Sequence, residues 1–290
     1  MKFAVLSSDN WHSNQLERAA KSLGHQISRV DFSQLSSTIS DRGELIASDD
    51  LTLSSADSIL VRNMPAGSLE QVVFRMDVLF QLQQQGTDII NSPKAIEMAV
   101  DKYLCLARLR AAGIPVPETW VGQSWRAAEG WFRSSGREVV IKPIFGGEGN
   151  GLIRVDEKDD SASVFQQLEQ TGHVIYMQEY LPHAGFDFRY LVIGTKVWVI
   201  KRSNQHDWRT NVSRGATATA TTCDVDKKQL AIKAATIADC EFAGVDIVEL
   251  PDNRTYVLEV NAVPGWRGIN RSHNVDIAEE LISYAVDKVS

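Results

Sequence analysis

Gly244-Val245-Asp246-Ile247-Val248 and Tyr256-Val257-Leu258-Glu259-Val260-Asn261 read as two short strands, apolar and rich in β-branched residues, with the turn formers Pro251, Asp252 and Asn253 between them. Side chains alternate faces along a strand, so Glu259 and Asn261 point the same way. If the two strands pair as a hairpin, Asp246 joins them. The result is a cluster of hard oxygen ligands suited to magnesium, which takes few carboxylates together with substrate phosphates. Such a cluster implies a nucleotide, and therefore something upstream that holds its phosphates.

Glu138-Val139-Val140-Ile141-Lys142-Pro143 is a strand ending in a lysine, followed by Ile144-Phe145-Gly146-Gly147-Glu148-Gly149-Asn150-Gly151 and a second apolar run, Leu152-Ile153-Arg154-Val155. Strand, glycine loop and strand make a hairpin flap. Its glycines, Gly147 and Gly149 among them, let backbone N–H groups approach phosphates, and Lys142 adds a point charge. No GKS or GKT follows and no helix opens there, so this is not a P-loop; the Gly-x-Gly-x-Gly spacing is not the dinucleotide fingerprint. Taken alone the loop reads equally well as a plain flexible hairpin.

The chain has 290 residues, enough for a substantial core and two or three subdomains. Apolar content of 43% and charged content of 23% are ordinary for a soluble globular protein, and a net charge of −7 argues against a general nucleic-acid binder. The three cysteines, Cys105, Cys223 and Cys240, form no CxxC pair, which suggests reduced thiols and a cytoplasmic protein. The six histidines contain no HExxH and no close His–Cys cluster, so zinc is not expected. The apolar run at the start is too short for a signal peptide, and no stretch approaches membrane-spanning length.

Strands at 3–7, 25–30, 58–62 and 88–90 alternate with helices near 13–23 and after Ser68, where Gln71 completes a capping box. This alternation predicts a small parallel α/β domain over 1–92. One helix is expected from Pro93 to about Ala112, and another near 125–135. Further on come a helix near 162–170, strands at 174–181, 186–193 and 196–201, a polar loop, a helix near 227–240, the carboxylate strands and a last helix near 275–286. The C-terminal half is therefore α+β with an antiparallel sheet.

The order of Asp101-Lys102, Ile141-Lys142-Pro143, the glycine loop, Gln178-Glu179-Tyr180-Leu181, Asp187 with Arg189, Arg209-Thr210-Asn211, Asp246 and Glu259-Val260-Asn261 resembles an ATP-grasp ligase. More narrowly, Trp208-Arg209-Thr210-Asn211-Val212-Ser213-Arg214-Gly215, Ala243-Gly244-Val245-Asp246-Ile247 and Glu259-Val260-Asn261-Ala262-Val263-Pro264-Gly265 resemble the RimK-like α-L-glutamate ligases. The resemblance implies an ATP-grasp fold: a central subdomain over 93–177 with the flap, and a C-terminal subdomain over 178–290 with the metal site, clasping ATP. It implies Glu179, Tyr180 and Leu181 at the adenine hinge, and Lys102 and Lys142 on phosphates. Asp187 falls near the ribose or a lysine. Arg209, Thr210 and Asn211 fall near the triphosphate, and Asp246, Glu259 and Asn261 on Mg2+, for which Mn2+ may substitute. Arg209 and Arg214 are the expected stabilisers of the reacting oxyanion.

The implied reaction activates an acceptor carboxylate as an acyl phosphate and attacks it with an amine, here that of L-glutamate. The Phe-Gly form of the flap and Pro264-Gly265-Trp266-Arg267-Gly268 lean towards ligases that act on pterin-like or deazaflavin cofactors. A protein C-terminus, an amino-group carrier protein and a peptide-like metabolite are the other acceptors in view, and a homo-oligomer is expected. Arg202 or Arg214 is expected to hold the amino acid's carboxylate, with Arg267 and Arg271 as fallbacks, and Trp266 to touch substrate. Asn10-Trp11-His12 and Arg62-Asn63 follow strand ends, where open α/β sheets bind ligands, and are expected near the acceptor. The rival readings are a non-catalytic nucleotide-binding module and a small-molecule kinase. Singly, Lys102 reads also as a surface charge, Asp187 with Arg189 as a same-strand ion pair, and Arg202 as a solvated edge.

Overall fold

The structure, a computed structural model, describes residues 1–41, 43–48, 51–136, 138–146 and 149–289. The first sheet is parallel, in the order β2-β1-β6-β7, from β1 (Lys2–Leu6), β2 (Gln26–Val30), β6 (Ser58–Val61) and β7 (Asp88–Ile90). Helix α1 (Trp11–Ser22) starts at Asn10, whose side chain accepts from the Ser13 amide while Ser13 reciprocates. Helix α2 (Leu69–Gln84) starts at the expected capping box of Ser68 and Gln71. Between β2 and β6 lies a small antiparallel sheet that the sequence reading had no element for, β3 (Leu35–Ser40), β4 (Gly43–Ser48) and β5 (Leu51–Thr52).

The single helix expected after Pro93 is two, α3 (Pro93–Val100) and α4 (Lys102–Ala111). Asp101 separates them in an extended conformation, with its carboxylate accepting from the Leu104 amide as the cap of α4. The break places Lys102 at the first position of a helix rather than in the middle of one.

A second sheet has the order β10-β9-β11-β8, from β8 (Thr119–Gly122), β9 (Glu138–Lys142), β10 (Ile153–Asp156) and β11 (Ile175–Glu179). It is backed by α5 (Trp125–Ser134) and α6 (Ser161–Gln170), and has its own core around Phe132, Phe165 and Ile141. Trp120, Trp125 and Trp131 pack against that core. Strands β9 and β10 pair as the expected hairpin, Ile141 opposite Ile153. A division at 177 passes through β11, which belongs to this sheet up to Glu179.

The third sheet is antiparallel, β14-β13-β12-β15-β16, from β12 (Phe186–Ile193), β13 (Lys196–Ser203), β14 (Thr217–Ala220), β15 (Phe242–Glu249) and β16 (Thr255–Asn261). Helix α7 (Val225–Ile237) packs on β15 and β12; α8 (Arg267–His273) lies against β13 and β14, and α9 (Ile277–Val289) against α1. The first and third sheets share their cores: Phe3, Val5 and Leu16 cluster with Phe242, Leu281 and Ile282, and Ala4 and Leu6 with Val245 and Val260. Asn91, 1% exposed at the end of β7, fastens the two. Its amide donates to Phe242 O and Ala262 O, both at 2.6 Å, and its oxygen accepts from the amides of Glu241 and Phe242, both at 2.9 Å. Among the described residues no helix is long and apolar enough to cross a membrane.

Candidate active site

Between the second and third sheets lies a cleft lined by residues of both, from Lys142 and Gln178 on one side to Asp246 and Glu259 on the other. Its third-sheet wall is built by register. Asp187 stands opposite Arg202 across β12 and β13, Arg189 opposite Asp246 across β12 and β15, and Asp246 opposite Glu259 across β15 and β16. Asp187 and Arg189 are two apart, so all five side chains share one face. Arg202 grips Asp187 through Nε at 2.7 Å and Nη2 at 2.5 Å, and its Nη2 lies 2.9 Å from Asp246 Oδ2. Arg189 holds Asp246 bidentately at 2.7 Å and 2.7 Å, and its Nη2 is 3.6 Å from Glu259 Oε1.

Charge follows this geometry. Burial pushes the Asp246 carboxyl up, but the Arg189 and Arg202 guanidiniums outweigh it and hold it well below the usual carboxylate range. Glu259 keeps 31% of its side chain exposed, so the desolvation acting on it comes from the depth of the cleft; with the Asp246 charge beside it, its carboxyl is pushed up. Added positive charge would relieve Glu259. Asn261 shares the Glu259 face, with Oδ1 accepting from the Val263 amide at 2.8 Å and a second lone pair left. Two carboxylates and an amide oxygen are the donor chemistry magnesium takes, so the residues fit it. Among the described residues no group of three or more His, Cys, Asp or Glu side chains is placed to hold a metal by itself.

Further cations come from the second sheet, the start of α4 and the loop before β14. Lys142 projects from the end of β9, with Nζ 2.6 Å from Gln178 Oε1, and burial lowers its pKa to about 8. Lys102 donates to Ile144 O at 3.1 Å and Gly146 O at 2.6 Å, holding the flap from below. From the opposite side Arg214 donates to Gly149 O at 3.3 Å and Asn150 Oδ1 at 2.8 Å. Gly149 has φ +72°, and a Cβ there would lie 2.6 Å from Asn211 Oδ1. Gly147 lies outside the described residues.

At the hinge, the Glu179 amide donates to Glu118 O at 2.9 Å and the Tyr180 amide to Glu138 O at 3.1 Å. The Leu181 amide has no partner among the described residues, so it is the hinge donor that remains free. Val140 and Leu152 face Leu181, Val248 and Leu258 across this end of the cleft, an apolar slot for a flat ring. Arg209 is paired with Asp207, Nη2 to Oδ2 at 2.6 Å, and Thr210 is bonded to Asp187.

Three sequence expectations change. Arg202 is not a free fork, because the register of β12 and β13 commits it to Asp187, and it also reaches Asp246. Asp187 and Arg189 are not a same-strand pair, since each finds a closer partner on the adjacent strand. Trp266 is 0% exposed, enclosed by Phe242, Arg62 and His12, and lies outside the nucleotide cleft. Gln178 as the holder of Lys142, and Arg189 between Asp246 and Glu259, were not singled out. For Gln178 the alternation Tyr176, Gln178 along the strand was the available signal.

The RimK-like ATP-grasp domain family matches residues 99–285, and the RimK pre-ATP-grasp domain family residues 1–96. The tetrahydromethanopterin:α-L-glutamate ligase of Methanosarcina acetivorans is 32% identical over 97% of this chain and 97% of its own. A probable α-L-glutamate ligase of Aeromonas salmonicida is 29% identical over 100% and 98%. Among solved structures, the ATP-grasp ligase PsnB complexed with a minimal precursor superposes with a TM-score of 0.79 at 24% identity, covering 99% of this chain and 98% of the other. A RimK domain ATP-grasp protein from Sphaerobacter thermophilus gives 0.75 at 21% identity, covering 98% and 99%.

Proposed function

The chain belongs to the RimK-like ATP-grasp family of ligases, and from that premise we propose that it adds L-glutamate to a carboxylate of a pterin-like or other small acceptor, in the cytoplasm and as a homo-oligomer. The observation that carries the reading is that Asp187, Arg202, Asp246 and Glu259, which share one face with Arg189, line one cleft with Lys102 and Lys142. In this reading the chain divides into 1–92, 93–177 and 178–290, with the end of β11, Gln178 and Glu179, completing the second sheet across the second boundary.

In this reading the adenine ring lies in the slot beside Leu181, its edge bonded to the free amide there. Lys142 and Lys102 hold phosphates, Lys102 exchanging flap carbonyls for them. Asp246, Glu259 and Asn261 would hold Mg2+, or Mn2+ in its place, which when bound neutralises charge on the transferring phosphoryl group. A carboxylate oxygen of the acceptor attacks the γ-phosphorus and ADP leaves. The glutamate amine then attacks the acyl carbon, phosphate leaves with the acyl C–O bond's electron pair, and the amine gives up its proton. Arg209 and Arg214 stabilise the acyl oxyanion from the loop side. Residues at the flap exclude the water that would hydrolyse the acyl phosphate.

The test combines the chain with ATP, Mg2+, L-glutamate and a panel of carboxylates that includes pterins. ADP release should require both acceptor and glutamate, and the acceptor should gain the mass of a glutamyl residue. ADP release indifferent to any amine, with a stable phosphorylated product, would make the chain a kinase instead.

A further inference from the structure

The first sheet changes winding direction between β1 and β6: β2 lies on one side of β1, while β6 and β7 lie on the other. Open parallel sheets bind ligands at the carboxyl ends of the strands flanking such a point. Here β1 leads to the start of α1 at Trp11 and His12, and β6 to Arg62 and Asn63, whose amides both point at Leu6 O, at 3.0 Å and 3.4 Å. The loop Pro264-Gly265-Trp266-Arg267 closes the crevice from the third sheet.

Arg62 is 5% exposed, and its Nη2 donates to Pro264 O at 2.6 Å. Its guanidinium lies over the rings of Trp266 at 4.5 Å and Phe242 at 5.3 Å. Its Nε and Nη1 have no hydrogen-bond partner, and neither does Trp266 Nε1 beside it. Arg267 is exposed and stacks on Trp11 at 4.8 Å. No ion pair to Arg62 or Arg267 occurs among the described residues, although the chain as a whole carries −7. Burial, then Arg62, then Arg267 lower the pKa of His12 to about 4. Unpaired buried donors are costly, and cations without counter-charge more so. The chemistry that would satisfy these donors is that of an acceptor-rich anion.

The loop also abuts the metal strands. A Cβ on Gly244 would lie 2.9 Å from the Pro264 side chain and 3.8 Å from Arg189 Nε. The crevice loop and the Arg189 side chain thus both pack close against Gly244.

We propose that this crevice is the subsite for a substrate carboxylate other than the one being phosphorylated, with Arg62 and Arg267 as its cations and the Trp11 ring as its wall. It rests on the ligase reading. The free nitrogens of Arg62 are shielded, so the carboxylate takes the place of a neighbouring group. His12 is the readiest to move: it is half-buried, and its Nε2 accepts from the Trp266 amide at 3.4 Å, a long bond. The carboxylate belongs either to the incoming amino acid or to the acceptor, and binding distinguishes them.

Titration calorimetry on the whole chain, with Mg2+ and a non-hydrolysable ATP analogue, uses two probes. L-glutamate reports the amino-acid position, and N-acetyl-L-glutamate, which has no free amine, reports the acceptor position. Wild type should bind at least one. Arg267→Ala and Arg62→Gln should each weaken that same probe by about tenfold or more, the worth of a charged hydrogen bond, with affinity for the analogue unchanged. Arg267→Ala is the decisive variant, since its side chain is exposed and Arg62→Gln also loosens the Pro264 loop. The proposal is overturned if wild type binds neither probe, if Arg267→Ala binds both as wild type does, or if it loses the analogue equally. Because no turnover is involved, failure of the ligase reading, seen as absent ADP release, is a separate result.

Discussion

Arg189 occupies the position of a cation between Asp246 and Glu259 before any substrate is present. Both oxygens of Asp246 already accept charge-assisted bonds, so a metal entering there works against guanidinium groups and benefits from the phosphates that arrive with it. Asp246→Asn or Glu259→Gln removes a negative ligand, and turnover should fall at least about a hundredfold at saturating Mg2+. Near-normal turnover in both variants would remove these residues from the metal site. His12 gives a pH prediction. Its pKa is lowered from 6.5 to about 4, so the unfolded chain takes up a proton that the folded chain refuses. Its contribution to stability is complete above pH 6.5 and is lost as pH falls from 6.5 towards 4. Urea midpoints measured across that window should drop less for His12→Asn than for wild type; equal drops would mean the imidazole titrates freely. Asp246, Glu259 and Lys142 were legible in the sequence because strand alternation and strand ends fix their faces. The partner of Arg189 was not, since it comes from a strand 57 residues away.

The flap is gripped at the scale of elements, by Lys102 at the start of α4 and by Arg214 and Asn211 on the loop before β14. Gly149 sits where these parts converge, at a positive φ and without room for a Cβ. Gly149→Ala should therefore destabilise the fold by ~1–2 kcal/mol, the cost of such a conformation to a non-glycine residue, and lower the denaturation midpoint accordingly. An unchanged midpoint would show that the loop rearranges freely. Long periodic elements such as α2 and paired strands such as β12 and β13 were readable from pattern. The strands β3 to β5 were not: Leu35-Ser36-Ser37-Thr38-Ile39-Ser40 is polar, and Ile39 is 85% exposed, so no buried face imposes a period on it. The break at Asp101 was missed because a capping aspartate between two helices leaves the hydrophobic spacing intact.

For the whole molecule, shared cores join the first and third sheets, whereas the second sheet keeps its own. The sequence suggested three successive units; it could not show that the first and last are packed as one, because that depends on contacts such as Asn91 to Ala262, 171 residues apart. Asn91→Ala would strand several buried backbone groups at ~1–3 kcal/mol each, and the denaturation midpoint should fall accordingly. The same side chain sets a clock for deuterium uptake. The amides of Glu241 and Phe242 reach solvent only when this fastening opens, so they should exchange among the slowest in the chain, together with those of β1. The amides of β9 and β10 should exchange on a faster, independent schedule, and nucleotide should slow theirs alone. Deuterium uptake should thus keep two times, one for the body built on the shared cores and one for the sheet with a core of its own.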